Sequence, residues 1–139
     1  MTTKEWLSRG WMIEKRIRKA EEQLSALRAR AEAVKSSTPK AAPRGGRAKV
    51  WTDAVDAMCD EEARMAAEIA ALYRTRDEIA GAVAAVSDVR LRCVLEYRYL
   101  CYMSWPRIAE MLSCDVRTVH RWHGRALRAV RVGPQKNCP

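Results

Sequence analysis

The chain has 139 residues, of which 48% are hydrophobic, and it carries a net charge of +9 with a pI near 9.7. That length suits one ordinary domain, or one small domain with a helical extension, and the apolar content excludes wholesale disorder. No stretch approaches the roughly 18 uninterrupted apolar residues of a membrane span, and the charge is divided as +8 over residues 1–50, −5 over 51–86 and +6 over 87–139.

The first predicted element is a helix over about 3–35. Ile13, Ile17, Ala20, Leu24, Leu27, Ala31 and Val34 recur at alternating steps of four and three, which is a heptad seam on one helix face. Residues 36–50, SSTPKAAPRGGRAKV, are rich in Pro, Gly, Ser and basic side chains. They read as an open, solvated linker. A second long helix is expected over about 52–86, capped by Thr52 or Asp53. One of its rows is Met58, Met65, Leu72, Ile79 and Val86. The other is Val55, Glu62, Ile69, Arg76 and Val83, with two charged intruders. Two such helices joined by a loop predict an antiparallel hairpin. A lone hairpin buries little surface, so an apolar outer edge is expected to find a partner. That partner is a second copy of the chain, acting through residues 3–86, or the C-terminal domain.

Residues 87–132 predict three shorter helices. Ser87 or Asp88 caps the first (about 89–100) and Ser104 the second (about 105–112), with Pro106 in its first turn. Asp115 caps the third (about 116–131). The predicted core takes Leu91, Val94, Leu95 and Tyr99 from the first helix and Trp105, Ile108, Ala109 and Leu112 from the second. Val119, Trp122, Ala126 and Leu127 come from the third. A short helix, a tight turn and a second helix with this pattern predict a helix-turn-helix. The fold class expected is therefore all-α: a helical hairpin over 1–86, a helix-turn-helix domain over 87–132 and a tail over 133–139.

Arg117, Arg121, Arg125 and Arg128 follow at steps of four, four and three along the third helix, forming one stripe. The N-terminal part of such a helix enters the major groove, where Arg grips guanine bidentately. Arg117, Thr118, His120 and Arg121 are thus the candidate base contacts. Arg125, Arg128 and Arg131 lie further along and, with Ser104 and Arg107, are the candidate phosphate contacts. His120 and His123 read about equally as packing or surface residues and as contacts.

RCVLEYRYL, followed by SWPRIAEMLSCDVRTVHRWHGRAL, resembles the last region of bacterial sigma factors, which reads the −35 promoter element. The layout, a helical N-terminal half with this ending, resembles short phage and prophage late-gene regulators of the ArpU/RinA type. The resemblance implies promoter binding in a bacterial host's cytoplasm and contact with RNA polymerase. Two departures stand out. Val116 occupies the opening position of the recognition helix, usually charged, and Gly124 interrupts the helix interior. The other sigma regions are absent, so a full sigma-factor role is not implied.

Other readings have less to draw on. Cys59, Cys93, Cys101, Cys114 and Cys138 are scattered, with no CxxC, which argues for a reducing compartment rather than a disulfide framework. Cys114 with His120 and His123 matches no zinc module, so no metal or other cofactor is expected. No phosphate loop, carboxylate cluster or nucleophile–base pair suggests an enzyme. The alternative function is that of a phage DNA-packaging protein resembling a small terminase subunit, which also joins a helix-turn-helix to oligomerising helices.

Overall fold

The computed structural model describes residues 1–36 and 46–132. These form α1 (Thr3–Ser8), α2 (Ile13–Ser36), α3 (Gly46–Ala84), α4 (Val89–Leu95), α5 (Trp105–Met111) and α6 (Val116–Ala129). A π-helical turn over Glu96–Leu100 extends α4. Among the described residues there is no strand. They divide into two compact units: Glu14–Tyr73, and Met1–Ile13 with the chain from Arg74 onward.

The Glu14–Tyr73 unit is the helical hairpin. Ile17, Leu24, Leu27 and Ala31 of α2 are buried as the heptad seam requires. Its direction follows from three cross-helix contacts. The indole N–H of Trp51 donates to the Val34 carbonyl at 3.1 Å, Arg28 donates to Glu62 at 2.8 Å, and the Tyr73 hydroxyl meets Glu21. Partners advance along α3 as they retreat along α2, so the helices are antiparallel. Glu62, one of the two charged intruders on the seam, is matched by Arg28 and so is not left half-buried and unpaired. The facing side chains Val55, Met58, Met65, Ile69 and Leu72 remain half-buried. The expected apolar outer edge is sparse, because Val50 is the unit's one exposed large hydrophobic residue among those described.

Two expectations need correcting here. The helix expected to start at Thr52 begins at Gly46, inside the stretch read as linker; residues 37–45 of that stretch lie outside the described residues. Thr52 therefore does not cap it. Its hydroxyl donates to the Ala48 carbonyl at 2.8 Å, one turn back within the helix. The helix expected over 3–35 is broken at residues 9–12. Met12 has a φ of 52°, the left-handed region that ends a regular helix. Gly10 beside it allows a close approach, since a Cβ there would lie 2.8 Å from Cδ1 of the buried Ile79 and would push that methyl aside.

That break sends α1 into the other unit. Thr2 and Glu5 form a reciprocal capping box at its start. Trp6 and Leu7 then enter a core with Ile79, Val83 and Val86 from the end of α3, Leu95, Tyr99, Ala126 and Val130. A second core joins Val94, Ile108, Ala109 and Val119, flanked by Tyr97, Trp105, Leu112 and Trp122. Adjacent residues Val94 and Leu95 thus serve two cores. The predicted core residues of the last three helices all lie in these two clusters. The caps are Asp88, Ser104 and Asp115. Between α5 and α6 the N–H of Cys114 returns to the Ala109 carbonyl at 3.0 Å around Ser113, whose φ is 53°. This closes the tight turn.

Leu7 has no accessible surface, so truncating it leaves a cavity in the core that also holds α6. Leu7→Ala is expected to cost about 2–5 kcal/mol. Hydrogen exchange should show the loss at the amides of α6, more than 100 residues away in sequence. Undiminished protection of Val119–Ala126 in that variant would show that α1 is dispensable to this core.

Candidate nucleic-acid interface

α6 has to satisfy two sets of demands along its length. Asp115 starts it by accepting the Thr118 N–H at 2.7 Å. The Thr118 hydroxyl also bonds this carboxylate, and together these hold the Asp115 carboxyl below the usual range for a carboxylic acid. Val119, His123 and Ala126, spaced by four and three, turn inward and are buried. The same spacing turns Arg117, Arg121, Arg125 and Arg128 outward, and all four are exposed. Arg131 is exposed just beyond the helix end.

None of these five arginines makes a hydrogen bond or ion pair among the described residues. Other arginines do: Arg9 with Glu78, Arg28 with Glu62, Arg64 with Glu61 and Glu68, Arg76 with Asp77, Arg92 with Glu96, and Arg107 with Glu110. The reason is compositional, since there is no acidic residue between 116 and 131. Asp115 lies at the edge of the stripe but is committed to the cap. The result is an exposed cationic row aligned with one helix.

The remaining candidates are placed as follows. Thr118 is half-buried and its hydroxyl is engaged by Asp115. His120 is exposed, with its ring 4.7 Å from that of Trp105. Ser104 accepts the Arg107 N–H at 3.3 Å and caps α5. Arg107 shares an exposed ion pair with Glu110 at 3.2 Å, a contact cheap to exchange for a phosphate. Sequence reading missed Arg90, whose guanidinium lies over the Trp122 ring at 5.8 Å. It brings a further cation from α4 beside α6, and a separation of 32 residues leaves no periodic trace of that. Among the described residues no three His, Cys, Asp or Glu side chains gather as a metal set, and no helix is long and apolar enough to cross a membrane.

His123 resolves as a packing residue. Its Nε2 lies 2.7 Å from the Tyr99 hydroxyl, and the ring meets Trp105 edge-on at 4.7 Å. Trp105 also receives the Arg98 guanidinium over its face at 4.3 Å. Burial pushes the His123 pKa down to about 4, and the nearby charges of Lys4 and Arg98 push the same way. Burial likewise raises the Tyr99 hydroxyl above its ordinary value. Neutral His123 thus pairs with neutral Tyr99 and orients the inner face of α6.

Residues 88–130, which span α4 to α6, match the family model of sigma-70, region 4. No curated protein and no solved structure gives a match. The match supports a sigma-factor-like helix-turn-helix that binds DNA, the arrangement the geometry of α5 and α6 presents.

A pH dependence follows from the buried pair. Between pH 6.5 and 4 the unfolded chain takes up a proton on His123 that the folded chain refuses. Stability is therefore full above pH 6.5 and falls as pH drops through that window, by at most about 1.4 kcal/mol per unit. His123→Phe removes the titration at a constant cost from the orphaned Tyr99 hydroxyl. The stability difference between wild type and variant, from denaturant unfolding, should shift by about 2–3 kcal/mol in the variant's favour between pH 7 and 4.5. An unchanged difference would place His123 in a solvated, freely titrating setting.

Proposed function

We propose that this protein is a sequence-specific regulator of transcription that reads the major groove of double-stranded DNA with α6 and the residues following it, 116–131. The observation that carries the reading is the row of exposed, unpaired arginines on the second helix of a helix-turn-helix. An arginine row elsewhere would be a solvated face. Here it lies on the helix that such folds insert into the groove. Base edges are within reach of the first two turns, which gives Arg117, His120 and Arg121 the reading role; Thr118 reaches them only by releasing Asp115. Arg125, Arg128 and Arg131 hold phosphates, together with Ser104, Arg107 and Arg90.

The resemblance to short phage and prophage regulators extends the proposal to a phage or prophage origin and action in the bacterial cytoplasm. The sigma-like segment supports contact with RNA polymerase. Self-association through residues 3–86 belongs to the same proposal. Its support is the half-buried row Val55, Met58, Met65, Ile69 and Leu72, which a two-helix hairpin leaves incompletely covered. Sedimentation of the full chain at micromolar concentration should give a dimer or small oligomer, and a monomer would remove that part of the proposal.

The DNA-reading role separates two classes of arginine. Arg117→Ala and Arg121→Ala should each cost roughly 1–3 kcal/mol on the specific site and relax the preference at one base pair. Arg125→Ala and Arg128→Ala should weaken binding to specific and scrambled duplexes alike, and flatten the salt dependence by about one unit of slope. If the first pair lowers both affinities equally, α6 is not reading bases.

A further inference from the structure

Given that α6 reads DNA as proposed above, we infer that Val116 recognises the 5-methyl group of a thymine beside the base pair gripped by Arg117. Val116 is the first residue of α6 and is 36% exposed. It is one of few large hydrophobic side chains exposed among the described residues. At 100° per residue, Val116 lies about 20° from the inward-turned His123, about 40° from His120 and about 100° from Arg117, so the valine stands where the packed face of α6 gives way to the exposed one. It also borders a shallow open groove across the turn from α5 to α6, lined by Pro106, Ala109 and Cys114 and by the polar Glu110, Ser113 and Asp115.

Folding does not call for this side chain. Its methyl groups join neither core, and a β-branched residue is a poorer helix former than Ala. In the major groove only thymine presents a methyl group, and apolar side chains read it by contact. Valine has no side-chain donor, so it cannot take guanine as an arginine at this position would. The chemistry of the position therefore selects thymine, with Arg117 selecting guanine next to it.

The test starts from a site chosen by the full-length protein from a random duplex pool. Each thymine in that site is then replaced in turn by deoxyuridine, which removes the methyl alone. Wild type should lose about fourfold in affinity at one position, the factor given by one methyl at about 0.8 kcal/mol. Val116→Ala should bind the thymine and uracil duplexes equally at that position. Unchanged helix content by circular dichroism confirms that the variant folds. If no thymine-to-uracil replacement affects wild type while Arg117→Ala still relaxes specificity, the valine inference is overturned and α6 remains a reading helix. If Val116→Ala keeps the full uracil loss, another group reads the methyl and the inference also falls. If selection enriches no sequence, the reading role of α6 fails and the inference with it.

Discussion

The outward-facing arginine row depends on the double anchoring of α6. Val119 packs into one core with Ile108 and Ala109, while Ala126 and Val130 pack into another with Trp6, Leu7 and Ile79. Apolar contacts on both stretches fix the rotation of the helix about its axis. That rotation is what turns the arginine row outward as a unit. The arginines contribute nothing to this; they occupy the face that packing leaves over. A helix held by one core would leave the C-terminal half of the row free to swing, and a swinging row cannot hold base contacts in register.

Polar groups inside this anchor are arranged to stay neutral. His123 and Tyr99 share a hydrogen bond between the two cores, and burial keeps both uncharged at neutral pH. A charged side chain there would need a buried counter-ion, and among the described residues the pair has none nearby. The surrounding Lys4 and Arg98 reinforce neutrality by repulsion. The unit thus keeps its net positive charge on the outside, where water screens it.

The arginine row also has a cost. Side chains of one sign at steps of three and four repel one another, and no carboxylate between 116 and 131 relieves them. The hairpin differs in carrying both signs, and some of its charges are matched across and along the helices: Arg28 with Glu62, and Arg64 with its two glutamates. A row of one sign with no carboxylate along its own helix fits a surface completed by a polyanion, whereas matched charge fits a surface that faces water or protein.

Much of this was legible in the sequence. The heptad steps of α2, the caps Ser104 and Asp115, the core of the last three helices and the arginine stripe all depend on residues within one or two turns of each other. Short-range hydrogen bonding and helical periodicity are enough to show them. What needed the tertiary structure is of longer range. The break at residues 9–12 gives Trp6 and Leu7 to a core built mainly from residues beyond 78, and nothing local to those two side chains names that destination. The start of α3 at Gly46 overrode a stretch rich in linker residues, and Thr52 was absorbed into the helix it was expected to cap. His123 was undecided until Tyr99 was placed against it, and Arg90 joined the candidate surface only through Trp122. Except at the start of α3, the deciding contact joins residues more than 20 apart, and the free energy of that packing, rather than any local propensity, sets the outcome.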